Sequence, residues 1–135
     1  MLRSSLLLLS LMFIIFCCAN AQQNAILGKW YFDRFGGPHG EIAESPDIVK
    51  ANQQNNGISF TFTKDNKMFR VQPDGNSMTV NYQVLPDRKQ VVIERDTLQI
   101  MLLTSDILEL YPITETRPAL FLKRSKDGKT SMSAP

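Results

Sequence analysis

At 135 residues the chain has room for one domain, and a formal net charge of +2 gives it no field of one sign to gather nucleic acid or an anionic surface. With two cysteines and one histidine, no histidine pair can hold a metal, and any Ser-His-Asp set must run through a single imidazole. Stability has to come from apolar burial, each large side chain contributing roughly 1.5–3 kcal/mol when fully buried.

The first 21 residues have a secretory layout. Arg3 is the positive start, Leu6 to Phe16 the apolar run, and Ala19-Asn20-Ala21 the small-x-small site that a signal peptidase needs. The run is too short to cross a hydrocarbon core of about 30 Å as a helix. This predicts a secreted or periplasmic protein, cleaved near Ala21 and beginning at Gln22. Both cysteines leave with the signal, so the mature chain holds no thiol and no disulfide. The alternative is a lipid anchor through Cys17 or Cys18. It is opposed by Phe16 and Cys17, which stand where such signals favour a small residue.

Just inside the mature N-terminus stands Leu27-Gly28-Lys29-Trp30-Tyr31-Phe32, read as the entry to a first strand running through Phe35. Gly28 is the permissive position at the bend. Trp30 is the only tryptophan in the chain and the largest group available to plug a barrel end. Alternation puts Trp30, Phe32 and Arg34 on one face, with Tyr31, Asp33 and Phe35 on the other. Gly36-Gly37-Pro38-His39-Gly40 then stops regular structure. Ser45-Pro46-Asp47 has the grammar of a helix start, predicting a helix from Pro46 to about Gln54.

From Gly57 the period changes to two. Ile58, Phe60 and Phe62 alternate with Ser59, Thr61 and Thr63. After a turn at Lys64-Asp65-Asn66, the pattern predicts Phe69 and Val71 inward, with Met68 and Arg70 outward. Pro73-Asp74-Gly75-Asn76 turns the chain again. Met78, Val80, Tyr82 and Val84 then share one face. Gln90 to Glu94 is a short strand. Leu98 to Leu103 is apolar at nearly every position, which predicts cover on both faces. Ile107 to Tyr111 and Ala119 to Lys123 complete the set.

Turn signals recur about every ten residues, which marks a sandwich or barrel. The fold class predicted is all-β, a small eight-stranded antiparallel up-and-down barrel with one short helix between the first two strands. It occupies residues 22–124. Residues 125–135 lack apolar periodicity and read as a disordered tail.

No residue set announces a reaction. His39 sits in a Gly-Pro loop, a poor place to hold a general base. The turn aspartates Asp65, Asp74, Asp87 and Asp106 are explained by their own backbone hydrogen bonds. No glycine-rich phosphate loop opens a helix. We therefore expect no catalytic residue, no metal and no cofactor. A binding site would be the inward lining, with Trp30, Phe32, Phe60, Phe62 and Phe69 as its aromatic part. Ile100 extends that lining, and Arg34 and Tyr82 are its inward polar candidates.

Gly28-x-Trp30 followed by a meander resembles the lipocalin superfamily, and more closely the short secreted bacterial lipocalin-like domains. Leu102-Leu103-Thr104-Ser105-Asp106-x-Leu108-Glu109-Leu110 resembles their late hairpin. The resemblance implies a basic residue packed on the first-strand tryptophan, and Arg124 or Lys123 stands in that position. It also implies a role in binding a small apolar ligand, and with the residue and charge readings above we expect a non-enzymatic monomer that binds no nucleic acid. The second reading is a protein-binding module, such as an inhibitor of an extracellular hydrolase, with a solid core. Contact would then run through residues 36–56. As a lid over an open mouth that connection favours ligand binding, and as a projecting tip it favours a protein partner.

Overall fold

The computed structural model describes residues 24–37, 39–42, 44–114 and 117–124. The signal sequence predicted over residues 1–21 and the tail predicted over 125–135 lie outside them. Eight antiparallel strands run in order around a closed barrel, each paired with its neighbours in sequence. They are β1 (Gly28–Gly36), β2 (Ser59–Phe62), β3 (Lys67–Val71), β4 (Ser77–Leu85), β5 (Gln90–Ile93), β6 (Asp96–Leu103), β7 (Ile107–Pro112) and β8 (Ala119–Lys123). The single helix of the β1–β2 connection, α1, spans Pro46–Gln54. The predicted barrel and its one short helix are therefore observed.

Local chemistry explains where α1 starts. Ser45 is extended at the N-cap and its hydroxyl accepts from the Ile48 N–H, with Pro46 at the first helical position. No residue of α1 is fully buried. The helix is moored through polar side chains instead. The Phe35 N–H donates to Asn52 Oδ1 at 2.6 Å, and Arg70 donates to Asn55 Oδ1 at 3.2 Å.

Turn lengths set the register, and register decides which side chains enter. The β2–β3 loop is Lys64-Asp65-Asn66, closed by the Thr63 N–H on Lys67 O, with Asn66 left-handed at φ 61°. A three-residue loop ending in a left-handed residue is a common hairpin closure. It pairs Phe62 with Met68 and Phe60 with Arg70. Met68 and Arg70 therefore share the inner face with the two phenylalanines. Phe69 pairs with Thr61 on the outer face, where it is 36% exposed. The predicted inward set of Phe69 and Val71 is reversed.

Two bulges change faces elsewhere. In the β1–β8 ladder Phe32 pairs with Leu122 but Arg34 pairs with Phe121, so Asp33 is the extra residue. Beyond it Phe35 points in and Arg34 points out, opposite to strict alternation from Trp30. A second irregularity at Met101 pairs Leu102 with Glu109 and Leu103 with Leu108. Leu103 therefore enters the barrel in place of Leu102. Met101 and Leu102 are 56% and 39% exposed, so β6 is not covered on both faces as its composition predicts.

The core gathers Ile26, Trp30, Phe62, Tyr82, Leu108 and Leu122 with inward residues of the remaining strands. Trp30 has no exposed surface, and its Nε1–H donates to the Ile26 carbonyl at 2.8 Å. The Arg124 guanidinium lies 3.7 Å from the centre of the indole. It donates to the carbonyls of Ala25, Lys29 and Ser105, tying the start of β1 and the end of β8 to the β6–β7 turn. Burial pulls its pKa below the ordinary guanidinium value, and nearby Asp106 pulls it back up. Arg124→Lys keeps the charge but loses the planar face and fork. Thermal denaturation should show it less stable by about 1 kcal/mol, the scale of a partly desolvated cation–π contact.

Candidate functional site in the barrel interior

The end of the barrel formed by Gly36, Asp96 and Ala119 leads into an interior cavity of about 350 Å³. Nearly all of its wall is apolar. Phe35, Pro118 and Leu120 line one side, Ile93 and Leu98 the other, and Phe60, Phe62 and Met68 reach deeper. Polar side chains enter the lining only at the rim, where Asp96 and Arg117 form an ion pair. A second hollow of about 390 Å³ continues outward, sharing Asp96, Leu98 and Arg117 and adding Arg95 and Thr97. The interior is therefore an apolar pocket with charged groups at its rim. Among the described residues no group of three or more His, Cys, Asp or Glu side chains could hold a metal ion.

The eight residues read from the sequence as a lining do not all meet. Phe60 and Phe62 line the cavity. Trp30, Tyr82 and Ile100 are buried in the core cluster that supports it. Phe32 is 5% exposed, with its ring edge-on to Phe35 at 5.0 Å between centroids. Tyr82 packs edge-on against Phe62 at 4.9 Å, and its hydroxyl donates to the Thr63 carbonyl at 2.6 Å. Burial, and secondarily the charge of Asp65, raise the pKa of that phenol, which stays a donor at neutral pH. Phe69 is outside for the reason of register given above.

Arg34 is outside too. Its guanidinium carbon lies 3.8 Å from the centre of the Phe121 ring on the outer wall. Arg34 Nη1 is buried with no hydrogen-bond partner among the described residues, so the aromatic face is its main compensation. The loop after β1 packs over the same wall. Gly37 N–H donates to Glu41 O at 2.8 Å and Gly40 N–H to Gly37 O at 2.9 Å. A Cβ on Gly36 would lie 2.8 Å from Phe121, and one on Gly40 1.8 Å from the Tyr111 hydroxyl. Within connection 36–56, Gly36 and Gly40 lie against Phe121 and Tyr111 on the outer wall, and α1 is moored to β1 through Asn52 and to β3 through its C-cap Asn55.

Sequence reasoning missed Phe35, Met68, Asp96 and Arg117. The first was hidden by the Asp33 bulge and the second by the register that the three-residue turn imposes. Asp96 and Arg117 sit where the chain reads as turn and connection, and only pairing brings them together.

A DUF4847 family protein from Bacteroides vulgatus superposes with a TM-score of 0.59 at 16% identity, over 78% of this chain and 98% of its own. The fold is lipocalin-like. It is the closed up-and-down barrel with a helix after the first strand that the sequence predicts. A lipocalin-like protein from Bacteroides uniformis also matches, at 14% identity and a TM-score of 0.49, over 75% of this chain and 99% of its own. An uncharacterized protein from Bacteroides eggerthii matches at 12% identity and a TM-score of 0.47, over 74% and 99%. No family model and no curated protein matches the sequence.

Proposed function

We propose that this lipocalin-like chain is a secreted, non-enzymatic binding protein that holds a small hydrophobic ligand inside its barrel. The observation that carries this reading is the apolar cavity of about 350 Å³ opening at the rim. Small-molecule sites are concave, mostly apolar and roughly 300–1,000 Å³ in volume, with a few placed polar groups. This cavity has that size and composition, and Asp96 and Arg117 supply the polar groups. Export is supported by the layout of residues 1–21.

The test is titration with an apolar fluorescent probe whose emission rises in a dry site. One saturable site is expected. Binding should raise stability by mass action, about 2.7 kcal/mol when free probe stands at 100 times its dissociation constant. Absence of both saturable binding and a concentration-dependent thermal shift would overturn the reading.

A further inference from the structure

We infer that two copies of this chain associate through the open edge of β4, pairing antiparallel about a two-fold axis at Met78. β4 is longer than the strand beside it. On one side Ser77 to Asn81 pair with β3, from Val71 back to Lys67. On the other side β5 pairs only with Tyr82 to Leu85. Glu94 caps the step, its N–H donating to Asn81 O at 2.9 Å and its carboxylate accepting from the Asn81 N–H at 3.1 Å. Among the described residues Ser77 to Val80 therefore have no strand on that side. Asn76 O and the Tyr82 N–H bond toward the β3 side, and Asn81 bonds away from it. Alternation along an antiparallel strand then turns the N–H and C=O groups of Ser77 and Thr79 to the open side.

Open edges are normally guarded by a charge, a proline, a bulge or a cover. Ser77-Met78-Thr79-Val80 has no charge and no proline, its ladder to β3 is continuous, and Ser77, Met78 and Thr79 are exposed. Such an edge accepts another strand. Its pattern fits a second copy of itself. Met78 and Val80 lie on the inner face and Ser77 and Thr79 on the outer, so a strand related by the two-fold axis continues each face in kind. Being uncharged, the segment meets its copy without repulsion. Asn81 fixes the register. A pairing centred on Thr79 would need Asn81, which Glu94 already holds, so the axis falls at Met78. Ser77 then exchanges both backbone bonds with the partner's Thr79, and Met78 meets the partner's Met78. Met78 is 52% exposed, beside a hollow of about 170 Å³ lined by Arg70, Gln72, Asn76 and Ser77 that leaves room for a second flexible thioether. The interface is self-complementary, so association stops at two. Pairing from Ser77 to Thr79 is short for the roughly 1,200 Å² of a standard interface, so the dimer is weak and concentration-dependent. The monomer expected from the sequence takes no account of this edge, which only the pairing of β4 with β5 exposes. The inference stands whether or not the barrel holds a ligand.

Sedimentation of the full mature chain from micromolar to millimolar concentration should show a monomer–dimer equilibrium. Met78→Lys and Met78→Glu should each abolish it, because like charges then meet at the axis, and an equimolar mixture of the two should restore it. Circular dichroism checks that each variant keeps the fold, which so exposed a position permits. The mature chain is expected to hold no thiol, so an introduced cysteine reads the register directly. Facing Cα atoms of a non-hydrogen-bonded pair stand about 4.5 Å apart, within reach of a disulfide. Met78→Cys should therefore cross-link into a covalent dimer under mild oxidation. Thr79→Cys, which faces the partner's Ser77, should not. A chain that stays monomeric at millimolar concentration would overturn the inference and leave the edge to a different protein. So would a dimer that survives Met78→Lys, a charge-swapped mixture that stays monomeric, growth beyond a dimer, or equal cross-linking at both positions.

Discussion

Trp30→Ala should lower the unfolding free energy by about 3–5 kcal/mol, the range for emptying a core aromatic site. Three losses coincide in that one change. The indole has no exposed surface, so its removal leaves a hole that the strands around it cannot fully close. The Ile26 carbonyl loses its donor, and Arg124 loses the aromatic face it covers. Tyr31→Ala, on the outer face one residue along, should cost less than half as much. Urea denaturation of the two variants measures the contrast, provided the slope with denaturant is unchanged. Equal losses would overturn the inward assignment of Trp30 and with it the core built around it.

The barrel was legible because its signal is redundant. Period-two alternation in β2 and β4, turn chemistry at Pro73-Asp74-Gly75, and a sequence in which only one connection could hold a crossover helix all favour one up-and-down sheet. The helix was legible for a local reason, since Ser45-Pro46-Asp47 sets its start without help from the rest of the chain. The tryptophan was legible from its size and uniqueness. The stacking of Arg124 on it was expected from the family resemblance and is observed.

The site was less legible, because facing depends on counts that composition does not record. β3 carries Met68, Phe69 and Val71, so hydrophobicity alone favours putting the aromatic ring inside. The three-residue turn before it decides otherwise, and one residue more in that loop would have flipped the strand. The same holds at Asp33 and Met101. Neither is a glycine or a proline, so nothing in the local sequence marks a bulge at either position. The consequences for the pocket are large. Asp33 moves an arginine out of the barrel and a phenylalanine into the cavity wall. The charged rim arises only when the start of β6 meets the connection before β8, a contact across 21 residues of sequence.

Phe60→Trp separates an open cavity from a packed core. Phe60 lines the cavity and pairs across β1 with Trp30 and across β3 with Arg70. The pocket of about 350 Å³ adjoins it, so a larger ring has somewhere to go. The indole should extend into the 350 Å³ space and occupy part of the volume that a ligand would use. Probe affinity should fall by at least about ten-fold, equivalent to about 1.4 kcal/mol. Folding stability should stay level or rise, because the added ring buries apolar surface without displacing neighbours. A core with no room responds in the opposite sense, since overpacking costs typically 1–3 kcal/mol through off-rotamer side chains and backbone shifts. Denaturation and probe titration on the same variant therefore read two independent signs. Lost affinity with retained stability is the result the cavity predicts, whereas a destabilised variant of a protein that binds no probe would mean the barrel is solid.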